Sequence, residues 1–338
     1  MSNKVRETWN KLSVGETKGA VKRLYDDKCP FRAYCFYDPR LNSFGIGLSH
    51  SKNIKVDVSH FDKLSKITVK LCRDNSFADS NMLYVSKFKG TDDYLFEIFA
   101  ELCENILMHI SCQSTEPKAV KDFLNQLVKW EKLFEHVNKD DLSKERQLGL
   151  FGELSLLNDL LLKTSIPKDV IVKSWVGPES NIQDFQSKNW AIEVKTSASS
   201  NPQSVKINNE KQLDDSLQSN LYLFHLSLLS GAGEGETLND KVTLIRDLLK
   251  EDMVALADFN MKLNQAGYFD YERILYDETR YRTRGSSFYK VETDFPRIRE
   301  NELRNGVGNV SYSISLALCE KYLVKEEIIY QQINSSTE

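Results

Sequence analysis

The stretch DFQSKNWAIEVKTSAS, residues 184–199, limits what this chain can fold into more than any other. Its run AIEVKTS alternates like a β-strand, with Ala191, Glu193 and Lys195 pointing one way and Ile192 and Val194 the other. A strand this apolar sits inside a sheet, which carries a glutamate and a lysine inward with it. Buried charge is costly unless it is paired, hydrogen-bonded or bound to an ion. The partners of Glu193 and Lys195 therefore decide between an ordinary ion pair and a reactive centre.

The 338 residues suffice for one large or two ordinary domains with a substantial core. A content of 41% hydrophobic and 28% charged residues is that of a globular protein rather than a disordered one. The opening MSNKVRETWN has no apolar signal region, and no run reaches the roughly 18 apolar residues of a membrane span, so a cytoplasmic protein is expected. The six cysteines form no CxxC pair and stand at no ligand spacing from a histidine; reduced, mostly buried thiols are expected rather than disulfides or zinc. A net charge of −4 argues against indiscriminate coating of nucleic acid. It leaves room for a nuclease, whose carboxylates lower the total while its phosphate contacts stay local.

Residues 31–90 read as β-rich, through FRAYCFYDP, SFGIGLSH, KITVKLCR and NMLYVSKF with turn chemistry between them. Two amphipathic helices follow, DYLFEIFAELCENILMHIS and KAVKDFLNQLVKWEKLFEHV, and the polar NKDD at 138–141 is the expected boundary between two domains, 1–140 and 141–330. A third helix is expected from an N-cap at Ser143 to about Lys163, with Leu150, Leu154, Leu157 and Leu161 as its stripe and Glu153 in its most apolar part. Short strands are expected around VIVKSWVG, Asp184, 190–196 and NLYLFHLSLL, then one long helix over 237–264, then strands at FYKVET and VSYSISLAL. The fold class predicted is α/β (α+β), a mixed sheet flanked by helices, preceded by a β-rich accessory domain.

The turn QSKN can bring Asp184 beside Glu193, so that two carboxylates and Lys195 converge, with Glu153 as a third acid from the preceding helix. Oxygen ligands of this kind suit magnesium, which polarises a phosphoryl oxygen and lowers the pKa of bound water, while an ammonium steadies developing charge. A Glu-Lys pair two residues apart is more often a solvated ion pair. The apolar strand, the upstream aspartate and the helical glutamate together favour the metal site.

Asp184, Glu193-Val194-Lys195 and Glu153 resemble the PD-(D/E)xK restriction-endonuclease-like nucleases. The ordered set GLFGELSLL, SWVGPE, DF, AIEVKTS, VKINNEKQL, FPRI and VSYSISLALC, over roughly 143–320, resembles an uncharacterised bacterial family of that superfamily encoded beside Z1-type helicases and DNA methyltransferases in restriction or phage-defence operons. The resemblance implies a restriction-endonuclease-like core and hydrolysis of DNA. It also implies Asp184 and Glu193 as metal ligands for magnesium (manganese substituting), Lys195 as the catalytic lysine, Glu153 as the auxiliary acid, and Gln212 as a residue that steadies the site or contacts DNA. It further implies partners: DNA, helicase or methyltransferase subunits, and a second copy. Gln183 stands where the family pattern has proline, and Ser216 where a tyrosine would follow Gln212.

Arg280, Arg282 and Arg284 alternate in RYRTR and on a strand would share a face fit for phosphates, with Tyr281 opposite, although acids nearby nearly balance them. Lys206 and Lys211 are further candidates for the DNA backbone, and Thr196 and Ser197 for a phosphate. GAGEGE, 231–236, lacks a following lysine and hydroxyl and is a connection rather than a phosphate loop. His225 and Trp175 read as core residues. The competing function is a non-catalytic nuclease-like scaffold, which the intact Asp, Glu and Lys set disfavours.

Overall fold

The computed structural model describes all residues except 1, 2, 16, 17, 65, 66, 91, 92, 137–141, 180, 199–203, 217–219, 293 and 336–338. The expected boundary at 138–141 lies outside the described residues. The chain divides into two compact units, Met1–Asn138 and Lys139–Glu338.

The first unit opens with helix α1 (Lys4–Ser13), whose Asn3 side chain caps Arg6 N. Strands β1 (Val21–Leu24), β2 (Ala33–Asp38), β3 (Ser43–Ser51), β4 (Thr68–Arg73) and β5 (Ser80–Phe88) follow, then α2 (Asp93–Ser111) and α3 (Glu116–His136). The strands form an antiparallel sheet in the order β1-β2-β3-β5-β4. Trp9 of α1 ties helix to sheet: it stacks 5.6 Å from Phe99, touches Phe44, and donates its indole N–H to Gly45 O at 2.9 Å. The four β-rich runs each become a strand; α1 and β1 lie upstream of the region read as β-rich.

The second unit contains α4 (Lys144–Lys163), α5 (Lys168–Ser174), β6 (Phe185–Gln186), β7 (Ala191–Ser197), β8 (Ser204–Ile207), β9 (Leu221–Gly231), α6 (Leu238–Leu249), α7 (Met253–Gln265), α8 (Arg273–Tyr276), β10 (Arg280–Val291), β11 (Tyr312–Ser315), β12 (Leu323–Val324) and α9 (Glu326–Ser335). Its main sheet has the order β12-β10-β9-β7-β6, parallel between β7 and β9 and antiparallel elsewhere. β8 and β11 pair as a second, two-stranded sheet. This is the mixed sheet with flanking helices expected of a restriction-endonuclease-like α+β core. The apolar run LYLFHLSLL becomes the central strand β9, buried from Leu221 to Leu228, as a strand covered on both faces must be. Ser143 caps α4 as expected.

Three elements differ from the sequence reading. VIVKSWVG supplies the helix α5, not a strand: Pro167 opens it, Ile171 and Val172 are buried, and only Trp175 bridges to Phe185. The helix over 237–264 is two, because Asp252 leaves helical geometry and caps Ala255 N to start α7. After Ser315 the run VSYSISLAL turns into a 3-10 helix, Leu316–Tyr322.

Helix α4 lies close against β7 at one point. A Cβ on Gly152 would stand 1.8 Å from Thr196 Oγ1 and 3.4 Å from Val194 Cγ1, so only glycine lets the helix approach this far. The next residue is Glu153. Gly152→Ala is expected to lower the melting temperature by roughly 3–10 °C, an overpacking cost on the order of 1–3 kcal/mol. Thr196→Ala removes the clashing oxygen, which has no hydrogen-bond partner among the described residues, and should restore part of that loss in the double variant. Thermal denaturation of the singles and the double checks this.

Candidate active site

Alternation along β7 sends Ile192, Val194 and Thr196 toward α4 and Glu193, Lys195 and Ser197 to the other face. That second face is apolar at one end, where Ala191, Leu221 and Leu223 pack with Val205, Ile207 and Ile314 of the small sheet. Glu193 is therefore buried, 1% exposed, and Lys195 nearly so. Lys195 Nζ lies 2.7 Å from Glu193 Oε1 and donates to Gln212 Oε1 at 3.1 Å. The second oxygen of Glu193 is buried with no hydrogen-bond partner among the described residues.

Asp184 enters at the start of the short β6–β7 hairpin. Its Oδ2 accepts from Val194 N at 2.7 Å, and its carbonyl accepts from Val176 N and Gly177 N at 2.8 and 2.9 Å. Glu153 reaches the same place from α4, its Oε2 accepting from Trp175 Nε1 at 2.7 Å. A Cβ on Gly177 would stand 2.9 Å from Glu153 Oε2 and 3.0 Å from Asp184 Oδ1, so both carboxylates border a space that glycine keeps open. Glu153, Asp184, Glu193 and Lys195, predicted from the sequence as one set, are brought together.

Three acids around one lysine leave an excess of negative charge in a desolvated place. Burial, then the Asp184 charge, pushes Glu153 up to about 8. Burial outweighs a backbone hydrogen bond and Lys195 to push Asp184 up to about 6. Glu193 is raised well above the usual carboxylate range by burial and by Asp184. Among the described residues no three His, Cys, Asp or Glu side chains are already drawn into an ion cage; Glu193 is turned onto Lys195. The donor set nonetheless fits a hard divalent cation: it is all oxygen, with an unpartnered buried oxygen on Glu193 and an open space beside Asp184 and Glu153.

Several residues around this set carry more than the sequence reading gave them. Trp175, read as core, holds Glu153; a buried indole N–H needs an acceptor, and here that acceptor is a candidate ligand. Gln183, read as a tolerable loss of proline, donates to Lys211 O and Gln212 O at 3.2 and 3.4 Å and accepts from Gln186 Nε2 at 2.6 Å. It ties the Asp184 loop to the loop whose Gln212 holds Lys195. Asn208 N also donates to Gln212 Oε1, at 2.8 Å. From the far side Arg297 of the FPRI motif, its side chain 2% exposed, donates to Leu213 O at 2.6 Å and to Asp215 Oδ2 at 2.9 Å. Lys262 of α7 pairs with Glu179 at 2.9 Å and donates to Trp175 O, bracing the segment under Glu153. No sequence pattern marks Lys262, and FPRI entered the resemblance without a role for Arg297.

The candidate phosphate contacts separate. By register Arg280 and Arg282 lie on the sheet face that carries Lys195, with Tyr281 packed against Phe151 on the other. The ladder shifts between Thr283 and Gly285, so Arg284 sits in an irregularity rather than continuing the alternation. Arg280 donates to Gly235 O at 2.9 Å, and Lys211 pairs with Glu300 at 3.3 Å. Lys206, Arg282 and Arg284 are exposed. His225 is buried, 2.8 Å from Ser197 Oγ through Nε2, and burial followed by the Arg284 charge lowers it to about 4. It is a neutral, hydrogen-bonded core histidine, as read from the sequence. All six cysteines are free; Cys35, Cys103 and Cys319 are buried and Cys72 is exposed.

The profile of one family, described as "Putative PD-(D/E)XK family member (DUF4420)", matches residues 5–317. The chain belongs to that family. The match extends through both units and so reaches well upstream of the motifs that carry the resemblance. No curated protein and no solved structure matches significantly.

The raised acids set the pH dependence of stability. Their protonated forms stabilise the fold fully below the ordinary values of 3.8 for Asp184 and 4.5 for Glu153, and that contribution is lost as pH rises through about 6 and about 8 respectively. Asp184→Asn, whose side-chain oxygen can still accept from Val194 N, should therefore be more stable than the parent at pH 8, by up to about 3 kcal/mol and less where water reaches the group. The advantage should vanish near pH 3.5, well below the raised value. Denaturant titrations at both pH values read the difference.

Proposed function

We propose that this chain is a metal-dependent endonuclease that hydrolyses DNA phosphodiester bonds, the nuclease component of a bacterial restriction or phage-defence system acting in the cytoplasm. The observation that carries this reading is Glu193, with one oxygen held by Lys195 and the other buried and unpartnered among the described residues, beside Asp184. A structural ion pair has no use for an open carboxylate oxygen or for two further acids around the same lysine. A scaffold that had lost activity would be relieved of their repulsion by a single amide substitution.

In this reading Asp184 and Glu193, with Glu153 as auxiliary acid, hold magnesium, for which manganese substitutes. When bound, such an ion polarises a phosphoryl oxygen and generates a nucleophilic water near neutral pH. The chain's own groups do the rest. Lys195, fixed by Glu193 and Gln212, presents its ammonium to charge developing on the attacked phosphate. Trp175 fixes the rotamer of Glu153, and the Val194 amide fixes that of Asp184. Gln183 and Arg297 hold the Gln212 loop at the distance Lys195 needs. The DNA backbone is proposed to run along the sheet face of Lys195 toward Arg280, Arg282 and Arg284, with Lys206, Lys211 and Gln212 as further contacts. Residues 141–330 would form the nuclease domain, and 1–140 an accessory domain that serves DNA recognition or docks a helicase or methyltransferase subunit. A second copy would account for cutting of both strands.

Plasmid cleavage with magnesium or manganese tests the reading. Asp184→Ala, Glu193→Gln and Lys195→Ala are each expected to reduce cutting by at least about 10²–10³-fold. Cutting at full rate in a chelator, or by Lys195→Ala, contradicts it. Magnesium should raise the melting temperature of the parent and not of Asp184→Ala, a readout that needs no cleavage. Gln183→Ala should keep the parent's melting temperature within a few degrees yet cut about 10–100-fold more slowly, as expected of a misplaced rather than a missing group.

A further inference from the structure

The first unit, residues 1–138, contains 21 lysines and arginines against 18 aspartates and glutamates, a formal excess of three, and its positive charge is gathered ahead of α2 and α3. Residues 1–90 contain 17 lysines and arginines against nine aspartates and glutamates, a formal excess of eight positive charges in a protein whose total is −4. Charge asymmetry of this size within one chain marks a partner of opposite charge.

The sheet of that unit has two unlike faces. On one, Cys35, Ile46, Leu48, Leu83 and Val85 are fully buried on the side where Trp9 meets Phe44 and the α2 rings. The registers send the opposite set to the other face. Phe36 stands across from Lys22 on β1 and Gly45 on β3, while Tyr34 stands across from Gly47, which faces Tyr84, which faces Lys70. Here Tyr34, Phe36, Met82 and Tyr84 are only partly buried, and Lys22 and Lys70 are exposed. Phe36 and Tyr84 meet edge to face at 5.6 Å. The two glycines between them are required by this surface. A Cβ on Gly45 would stand 2.2 Å from Val85 O and 2.5 Å from Phe36 Cζ, and one on Gly47 would stand 2.8 Å from Met82 Sδ. The central strand is thus stripped of side chains so that rings from its neighbours lie down over it. Lys22 Nζ lies 4.5 Å from the centre of the Tyr34 ring and pairs with Asp74 Oδ1 at 3.2 Å, so Lys70 is the cation this face leaves for a ligand.

We propose that this aromatic, lysine-edged sheet face binds single-stranded nucleic acid, with unpaired bases stacked on Phe36 and Tyr84 and phosphates drawn to Lys70. Flat rings on a sheet with cations at the rim are what stacking of splayed bases requires, and duplex DNA, its bases already stacked on one another, cannot use the rings. The positive excess over residues 1–90 supplies the electrostatic share of the affinity. A protein partner would find rings here too, but nothing in that case calls for the basic charge. The site stands apart from the catalytic reading, since binding here needs neither Asp184 nor a metal.

The test is fluorescence anisotropy of a labelled oligothymidylate with the full chain in a chelator, where cleavage of any kind is suppressed and cannot influence the outcome. Phe36→Ala and Tyr84→Ala are expected to weaken binding about tenfold each, while Phe36→Tyr and Tyr84→Phe retain it. Lys70→Glu should weaken binding and flatten its salt dependence. Unlabelled duplex of the same length should compete poorly. The proposal is overturned if the oligonucleotide does not bind. It is equally overturned if the alanine variants bind as the parent does, or if duplex competes as well as the single strand. Should an alanine variant lose its near-ultraviolet circular dichroism, the tyrosine and phenylalanine exchanges and Lys70→Glu, which leave the packing of the sheet intact, carry the decision.

Discussion

The second unit is organised around one unbalanced contact, the ion pair of Lys195 with Glu193 inside a sheet. An isolated pair at this depth would gain little over two apolar side chains, because desolvation of both charges offsets their attraction. Here the balance is worse, since Asp184 and Glu153 add two more carboxylates and only one ammonium answers them. The acids respond by holding protons at pH values where free carboxylates have lost them. A site that keeps protons for want of cations is poised to exchange them for one, and the unpartnered oxygen of Glu193 gives such an ion a place to bind.

Holding three acids together against their repulsion requires a stiff frame, and the frame is made of backbone. The Asp184 carbonyl and carboxylate are tied to the amides of Val176, Gly177 and Val194. Gly152 lets α4 approach β7 until Glu153 arrives from the helix side, and Gly177 clears the space in front of it. The loop of Gln212 is pulled from two directions, by Gln183 and by Arg297, and transmits its position to Lys195 through one hydrogen bond. None of these supporting groups is itself a reactive residue. Each is costly to change, because a buried polar group that loses its partner forfeits its hydrogen bond and keeps its desolvation.

What could be read from residues alone follows from how local each signal is. Period-two alternation and the β-branched and aromatic runs identified β2 to β5 of the first unit and the strand of Glu193, because alternation is a property of a few neighbours. The Asp184–Glu193 approach was legible for the same reason: a short turn leaves a hairpin little choice. VIVKSWVG was misread as a strand because its β-branched residues favour extended chain, and only packing of Ile171 and Val172 in the second unit decides for helix. The roles of Trp175, Gln183, Lys262 and Arg297 were not legible because their partners lie 22 to 87 residues away in sequence. Gln183 is the instructive case. Measured against a proline pattern it is a departure; in space it replaces a rigid residue by a side chain that locks the same loop through hydrogen bonds.

Net charge summed over the whole chain hides where the charge lies. A total of −4 argues against indiscriminate coating of nucleic acid and leaves local contacts open, and the charge is unevenly spread: residues 1–90 are positive by eight, so the remainder is negative by twelve. Much of that negative charge has identifiable work. Glu153, Asp184 and Glu193 build the centre, Glu210 caps the amides of Asn309 and Val310, and Asp270 pairs with Arg246 at 2.8 Å. An acidic sum is therefore compatible with an anionic substrate when the acids are consumed internally and the exposed cations are gathered elsewhere. Screening in physiological salt acts over about 8 Å, so what a phosphate senses is the charge immediately beside it and not the sum over the chain. The quantity that bears on function is the charge within one Debye length of a surface.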